Sequence, residues 1–333
     1  MIPVPPAIQR IPWKLIALLS AITGFGLLVL YSAAGGNWSP WAWQQGVRFL
    51  VFLTAMLVIG RIPLRFFEDF AYLAYLGVLL LLFAVELLGF VGGGSQRWLN
   101  LGFMNLQPSE LMKVAIVIAL ARFYAQLPPG NTRTFTALWP ALMAIGTPAA
   151  LVMLQPDLGT ALAICVGGAV VMFVSGLPFW WFGSAAVGGA AALPVLFSML
   201  HDYQQKRVLI FLDPESDPLG AGYHISQSKI AIGSGGIDGK GFLNGSQSHL
   251  DYLPEGHTDF IFATMAEEWG LIGGLALLFA FFLLLRWGTR VALNARTRFG
   301  QLTAAGLTMT IFFYIAINLS MVMGMAPVVG IPL

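Results

Sequence analysis

Long apolar stretches recur along the whole chain of 333 residues, and they constrain its fold more than any other feature. A helix needs about 20 consecutive apolar residues to cross the hydrocarbon core of a bilayer. Charged residues make up only 10% of the chain, against about 25% in typical soluble proteins. The sequence therefore predicts an all-α polytopic membrane protein, a single domain over 1–333, with nine spans near 13–33, 44–61, 69–91, 108–126, 135–154, 158–176, 178–200, 260–286 and 300–324.

The first apolar run has two interpretations. Arg10 and Lys14 precede it, and the small residues at 32–34 resemble a signal-peptide cleavage site. The run is long for a signal peptide and further apolar segments follow, so we expect an uncleaved first span. With the N-terminus inside, the short flanks place ten Lys and Arg residues inside and two outside, which predicts a cytoplasmic N-terminus.

The segment 201–258, between spans seven and eight, is too long for a tight connection and faces outward in this orientation. From 220 to 270 the chain is polar and glycine-rich, and it gathers histidines, acids and lysines. So much hydrogen-bonding material at one face of a membrane protein predicts that a polar substrate is handled there.

Several other functions are disfavoured. Cys165 is the only cysteine, and the four histidines, all in 201–258, lack the i, i+3 or i, i+4 spacing of a helical zinc site. The glycine-rich run ending at Lys240 lacks the Ser or Thr that a phosphate-binding loop needs next, since Gly241 follows. A net charge of +2 with dispersed cations gives no indication of nucleic-acid binding.

Ionisable groups inside spans are functional candidates, because each costs about 2.5–3.5 kcal/mol to insert. The sequence places seven such groups in or at the ends of the predicted spans: Glu86, Glu110, Lys113, Asp157, Asp259, Glu267 and Glu268.

The start of the fourth predicted span carries two of these groups. Glu110 and Lys113 are three residues apart and share one helix face, so they can pair. The pair either fastens the helix to its bundle or holds Lys113 near a phosphate. Just before it we expect a flexible outer loop over 92–99, in which Arg97 is available for an anionic head group and Trp98 anchors at the interface.

Two aspartates precede predicted spans. Asp157 either caps the sixth span or lines a cavity, and Asp259 either caps the eighth span or acts as a general base at the outer surface. Desolvation would raise the pKa of Asp259, whereas the helix N-terminus would lower it. His257 is the rival base, since histidine titrates near neutrality.

These motifs resemble the SEDS family (shape, elongation, division and sporulation), most closely its elongation-type members, with the division-type members as the alternative. The matching pieces span most of the chain in family order: GSQRWLNLG at 94–102, QPSELMK at 107–113, QPDLGTAL at 155–162, QSKIAIGSGG with GKG at 227–241, GSQSHLDYLPEGHTDFIFA at 245–263 and AEEWG at 266–270.

The resemblance implies a ten-helix peptidoglycan glycosyltransferase of the bacterial cytoplasmic membrane, which polymerises lipid II on the outer face during elongation. It places the family's essential aspartate at Asp259, a salt bridge at Glu110 and Lys113, and a motif lysine at Lys240. It also implies that a tenth helix follows the chain's last residues, and that a class B penicillin-binding protein and other elongation proteins are partners.

The mechanism expected is inverting. Asp259 accepts a proton from the 4-hydroxyl of an incoming N-acetylglucosamine, whose oxygen displaces undecaprenyl pyrophosphate from the growing strand. Arg97, Lys113 and Lys240 are the candidate cations for the leaving group, with Mg or Mn left open as a cofactor. The remaining predicted binding or supporting residues are Gln107, Asp157, Gln247, Glu255 and His257.

Two other classes remain open. A flippase for the same lipid also suits intramembrane acids and glycine-rich breaks, although the polar groups concentrate at the outer face. A non-catalytic scaffold for cell-wall enzymes leaves the acid-rich segment unexplained.

Overall fold

The computed structural model describes residues 11–92, 95–100, 102, 105–128, 130–199, 205, 209–210, 213, 221–250, 252–253, 256–328, 330–331 and 333. Its helices are α1 (Trp13–Ala33), α2 (Trp41–Ile59), α3 (Leu64–Leu88), α4 (Pro108–Gln126), α5 (Phe135–Leu154), α6 (Leu158–Val174), α7 (Phe179–Met199), α8 (Ala221–Gly235), α9 (Ser246–His249), α10 (Ile261–Leu293) and α11 (Arg298–Val322). A short 3₁₀ helix, Asn131–Arg133, precedes α5.

Six of the described helices are long and apolar enough to cross a membrane: α1, α2, α3, α5, α10 and α11. A helix satisfies its own backbone hydrogen bonds, which lipid cannot do for it. The chain is therefore a multi-pass membrane protein. Each predicted span overlaps a helix, while the number that cross the bilayer stays a prediction, since α4 carries three charged residues and α6 has only 17 residues.

Helix α4 lies at the centre of the larger core, in contact with α3, α5, α6 and α11. Its side chains Ile116, Val117 and Leu120 are buried. Glycines let the neighbouring backbones approach, as is usual between membrane helices. A Cβ at Gly306 of α11 would lie 2.6 Å from Val117, and one at Gly168 of α6 would lie 2.5 Å from Ile145. This packing fixes α4, whose first turns carry Glu110 and Lys113, against α3, α5, α6 and α11.

The described part of 201–258 is not all loop. Helix α8 packs against α10 and α11, and it buries Ile225, Ser228 and Ala231. The Ser228 hydroxyl donates to the carbonyl of Val322 at 2.7 Å. Helical periodicity was hidden here because the segment is only weakly amphipathic and rich in glycine and serine.

The prediction of a flexible loop over 92–99 is wrong for its described part. A three-stranded antiparallel sheet, β1 (Phe90–Gly92), β2 (Ser95–Asn100) and β3 (Asn105–Leu106), joins α3 to α4. Strand β2 pairs on both sides, so the backbone around Arg97 is fixed by hydrogen bonds rather than mobile. This small sheet therefore fixes the backbone position from which the Arg97 side chain extends.

Candidate functional site

Asp259 lies in the turn that precedes α10. The N-cap residue of α10 is Phe260 and no side chain caps the helix, so the N-cap interpretation of Asp259 fails. The backbone carbonyl of Asp259 accepts a hydrogen bond from the Asn318 side chain at 2.9 Å. The same amide donates to the carbonyl of Ile331 at 2.7 Å. Asn318 of α11 therefore fixes this turn and the C-terminal residues beside it.

The surroundings of the Asp259 carboxyl are narrow but not sealed. The side chain is partly exposed. Gly330 has a positive φ of 67°, and a Cβ there would lie 3.7 Å from the Asp259 carboxylate. A glycine at 330 suits this left-handed backbone, and the added Cβ would be in ordinary contact with the carboxylate, so residue 330 lies directly beside Asp259.

His257 stacks on Trp41, the first residue of α2, with ring centroids 3.9 Å apart and an interplanar angle of 9°. One face of the imidazole is covered by the indole. This contact ties the segment before α10 to α2, and it gives His257 a structural task that sequence reasoning did not foresee.

Glu110 and Lys113 form the predicted ion pair, with Glu110 Oε2 and Lys113 Nζ 2.7 Å apart. The ammonium also lies 4.3 Å from the centre of the Tyr314 ring, a cation–π contact. Both partners line a largely apolar cavity of about 380 Å³ between α4, α10 and α11. An apolar cavity with a cation on its wall can accommodate an anionic group attached to a hydrocarbon chain.

Helix α11 connects Lys113 to Asp259. Tyr314 contacts Lys113 and Asn318 contacts the Asp259 backbone. These two α11 residues are four apart, so they share one face and are separated by about 6 Å along the helix axis. The structure therefore brings the predicted base and one predicted cation to the same face of one helix.

Arg97, Gln107 and Asp157 form a second group at the turn between α5 and α6. The Arg97 guanidinium donates to the carbonyls of Gln155 at 3.2 Å and Pro156 at 2.6 Å, and lies 3.7 Å from the Asp157 carboxylate. Gln107 donates to Asp157 at 3.2 Å. These contacts join β2, the start of α4 and the α5–α6 turn.

Asp157 is the N-cap of α6, as one of its two interpretations predicted. Its carboxylate accepts from the backbone N–H of Thr160 at 3.1 Å and from the Thr160 hydroxyl at 2.9 Å. With Arg97 and Gln107 also bound to it, the Asp157 carboxylate is committed to structure. Arg97 is correspondingly less available for a head group than the sequence suggested.

Lys240 is paired with Glu267, which the sequence offered as an intramembrane candidate but not as one of the predicted binding residues. Its ammonium donates to Glu267 at 2.6 Å and to the Ser246 hydroxyl at 2.7 Å. The fully buried Glu267 carboxylate also accepts from the Ser246 hydroxyl at 3.0 Å and from the Gln247 backbone N–H at 3.1 Å. Gln247 is thus held through its backbone at the start of α9.

Helix α10 is broken at Gly270, which has φ 60° and ψ −160°. The loop over 236–241 satisfies the backbone groups released by the break: the amides of Lys240 and Gly241 donate to carbonyls 267 and 268 at 2.9 and 3.0 Å, and the amides at 271 and 272 donate to carbonyls 236 and 237 at 3.0 and 3.2 Å. This mutual pairing is here called the helix-break clamp. It lets irregular backbone exist within the membrane region, because protein groups form the hydrogen bonds that lipid cannot supply.

The close approach of the clamp to α10 explains Gly235 and Gly239 of the GSGG and GKG motifs. A Cβ at Gly239 would lie 2.1 Å from the Glu268 carbonyl, and one at Gly235 would lie 2.0 Å from the Ala266 carbonyl. The adjacent Glu268 carboxylate accepts a short hydrogen bond from Ser32 of α1. Clustered glycines together with the AEEWG acids were the only sequence signal for this arrangement.

Glu255 lies outside the described residues. Within the described ranges there is no group of three or more histidine, cysteine or acidic residues that could hold a metal ion. Eight of the nine described candidates fall into three sets: Asp259 and Lys113 with Glu110 beside α11, Arg97 with Gln107 and Asp157, and Lys240 with Gln247 at the clamp. The ninth, His257, stacks on Trp41 of α2.

The sequence profile FTSW_RODA_SPOVE, described as cell cycle protein, matches residues 12–333. The chain belongs to this family. It is 46% identical over 322 residues to the peptidoglycan glycosyltransferase MrdB of Escherichia coli K12, covering 96% of this chain and 86% of that protein. It is 34% identical to stage V sporulation protein E of Bacillus subtilis, over 96% and 89% of the two chains.

Solved FtsW/RodA/SpoVE-type structures share the fold. The rod shape determining protein RodA of Thermus thermophilus superimposes with a TM-score of 0.71 at 29% identity, covering 98% of this chain and 90% of that one. A chain of a peptidoglycan synthase complex, described by its coordination of polymerization and crosslinking, superimposes with a TM-score of 0.84 at 31% identity over 97% and 90%. The SEDS resemblance and the helical-bundle prediction are confirmed.

Proposed function

We propose that this chain is a peptidoglycan glycosyltransferase that polymerises lipid II at the outer face of the bacterial cytoplasmic membrane during elongation. The observation that supports this most strongly is the placement of Asp259 and Lys113 against one face of α11. A base and a cation held against one helix, with the cation on the wall of an apolar cavity, suit a sugar acceptor and a lipid-linked pyrophosphate donor.

In the proposed reaction the Asp259 carboxylate takes the proton from the 4-hydroxyl of the acceptor N-acetylglucosamine. The resulting oxygen nucleophile attacks the anomeric carbon of the donor muramyl residue. The new glycosidic C–O bond forms as the bond to pyrophosphate breaks, and undecaprenyl pyrophosphate leaves with the electron pair. One carboxylate is enough, because an α-linked donor gives a β1,4 product by inversion.

Of the three candidate cations, Lys113 is assigned to the leaving pyrophosphate. An ammonium has three donor hydrogens. Lys113 is paired with Glu110, lies over the Tyr314 ring and also feels the charge of Asp157. Arg97 and Lys240 are bound to Asp157 and Glu267 respectively. We assign these two to support: Arg97 orders the start of α4 with Gln107, and Lys240 orders the segment that leads towards His257 and Asp259.

The proposed function also requires a defined membrane orientation and a crosslinking partner. The N-terminus is placed in the cytoplasm, 1–333 forms one domain, and the Asp259 turn lies outside. A class B penicillin-binding protein is the proposed crosslinking partner, supported by the similarity to a chain of a complex that joins polymerization to crosslinking.

The broken helix α10 favours one second candidate, a flippase for the same lipid, because discontinuous helices often form transporter sites. The clamp argues against it, since the released backbone groups are already paired with the 236–241 loop. Lipid II in detergent distinguishes the two, because a flippase makes no glycan polymer in the absence of a bilayer.

The test is polymerisation of lipid II by purified Asp259→Asn protein, in detergent and in liposomes. The amide keeps the shape but cannot accept the proton, so we expect glycan synthesis to fall at least about a hundredfold, the lower range for a lost general base. Asp69→Asn, at an exposed position in α3, is the matched control and should retain full activity. Polymer made at the normal rate by the folded Asp259→Asn protein would refute the assignment.

A further inference from the structure

Helices α1 and α10 enclose a groove at the end of the bundle where α1 begins and α10 approaches its last turns. Its volume is about 430 Å³, and its lining includes Lys14, Leu18, Leu283, Arg286, Trp287 and Arg290. The proposed polymerase site uses none of these residues, and in the proposed orientation the groove opens at the cytoplasmic side.

Three cations converge on this groove with no acid beside them. Arg286 and Arg290 are four residues apart on α10 and share one face. Neither α1 nor the part of α10 after Gly270 contains an acidic residue. Within the described part of the chain, no side-chain hydrogen bond or ion pair engages the charged ends of Lys14, Arg286 or Arg290. The site thus has positive charge that the described residues do not neutralise.

The rest of the lining is apolar and interfacial. Leu18 and Leu283 form the inner wall, and Trp287 is partly exposed at the rim. Tryptophan prefers the depth of the lipid head groups, and arginine keeps its charged end at that level while its alkyl stem covers apolar surface. A small free anion would leave the leucine wall without a partner.

From this combination we infer that the groove binds an anionic glycerophospholipid of the adjacent leaflet. The phosphodiester lies between Lys14, Arg286 and Arg290, where guanidinium groups can hold phosphate oxygens bidentately, and an acyl chain lies along Leu18 and Leu283. Basic pockets between transmembrane helices are typical sites for such head groups. Cations that served only to orient the protein in the membrane would not need to meet around a leucine-lined groove.

The location gives the lipid a structural role. Towards the other end of α1, Ser32 donates to Glu268 of α10, close to the helix-break clamp. A lipid bridging Lys14 and the two arginines fastens these helices at a second point. Bound lipid should therefore raise the temperature at which the protein unfolds.

The experiment measures binding of dioleoyl phosphatidylglycerol to the delipidated protein in neutral detergent, by native mass spectrometry. With about 1 kcal/mol per cation at a membrane surface, the Arg286→Gln/Arg290→Gln double variant should bind at least about tenfold more weakly. The control is Arg61→Gln/Arg296→Gln, which removes the same charge from exposed positions outside the groove. It should change the affinity less than twofold.

Two further arms identify the ligand. Dioleoyl phosphatidylcholine, which has no net charge, should bind at least tenfold more weakly than phosphatidylglycerol to the unaltered protein, and millimolar inorganic phosphate should not displace phosphatidylglycerol. Equal loss in both double variants, equal binding of the two lipids, or displacement by phosphate would each overturn the inference. The first would indicate diffuse charge, the second a purely apolar groove, and the third a simple anion site.

Discussion

Two lysine–glutamate pairs in this protein look alike by distance but are built in opposite ways. Lys113 and Glu110 are 2.7 Å apart, and Lys240 and Glu267 are 2.6 Å apart. In the first pair the lysine is buried, with 5% of its side chain exposed, and the glutamate is 53% exposed. In the second pair the glutamate is fully buried and the lysine is 29% exposed.

The two buried charges also differ in their support. Buried Lys113 is paired with Glu110, lies over the face of the Tyr314 ring and feels the charge of Asp157. Buried Glu267 accepts hydrogen bonds from the Lys240 ammonium, the Ser246 hydroxyl and the Gln247 backbone N–H. A buried charge is stable only when hydrogen bonds as well as an opposite charge surround it. Loss of its partner should therefore destabilise the first pair more. The buried lysine of the first pair is also the better suited to bind a substrate anion.

Sequence distance separates the pairs as well. Glu110 and Lys113 belong to one turn of α4, whereas Lys240 and Glu267 are 27 residues apart and meet only because the clamp holds the 236–241 loop against the break in α10. The first pair therefore forms within one helix, whereas the second forms only through tertiary packing.

The largest loss of stability is expected from Gly239→Ala, which disrupts the helix-break clamp that brings Lys240 to Glu267. The new Cβ would fall 2.1 Å from the Glu268 carbonyl at a position with φ +81°, so overpacking and left-handed strain together should cost about 3 kcal/mol or more. Unfolding by SDS titration in detergent measures the loss.

Gly236→Ala is its control. It also has a positive φ, +56°, but nothing lies within 4 Å of the added Cβ, so about 1 kcal/mol is expected from backbone strain alone. Equal destabilisation by the two alanines would show that close backbone approach does not hold the second pair.

A smaller effect is expected from Glu110→Gln in the first pair. It removes the carboxylate paired with the buried Lys113 ammonium, which keeps the Tyr314 ring and the charge of Asp157. The free energy of unfolding should fall by about 2 kcal/mol, below the usual range for a buried pair because Glu110 is half-exposed. Lys113→Met instead leaves a glutamate that solvent or head groups reach, and should cost less than about 1 kcal/mol.

Polymerisation provides the second readout for this pair. Lys113→Met protein should be stable yet lose at least about tenfold in lipid II polymerisation, as expected when a charge-stabilising group is removed. If Lys113→Met proved the less stable of the two variants, the assignment of the lysine as the buried, substrate-facing member would be wrong.

A smaller loss of stability than for Glu110→Gln is expected from Lys240→Met. Glu267 keeps its hydrogen bonds from the Ser246 hydroxyl and the Gln247 backbone N–H, and water can reach the place of the 29% exposed Lys240 side chain, so the free energy of unfolding should fall by about 1 kcal/mol. Arg65→Gln sets the baseline at about zero, because Arg65 and Asp69 are 90% and 61% exposed. A Lys240→Met loss larger than that of Glu110→Gln, measured by the same titration, would reverse the ranking of the two pairs.

Much of the membrane topology was accessible from local patterns. The apolar runs predicted where α1 to α7, α10 and α11 lie, because helix position in lipid depends on hydrophobicity over about 20 residues. The spacing of Glu110 and Lys113 predicted their pairing because residues three apart lie on one face of a helix. The same local logic offered Asp259 as an N-cap, and there tertiary packing decided otherwise.

What the sequence determined by itself is the position of nine of the eleven described helices, the local ion pair on α4 and the family motifs, all of which depend on residues that are close along the chain. Only the tertiary structure decided that α11 joins Lys113 to Asp259, that Arg97 binds the α5–α6 turn, and that Glu267 is the partner of Lys240. These contacts depend on where separate helices cross and where a helix breaks. Side-chain spacing along one segment carries no information about either.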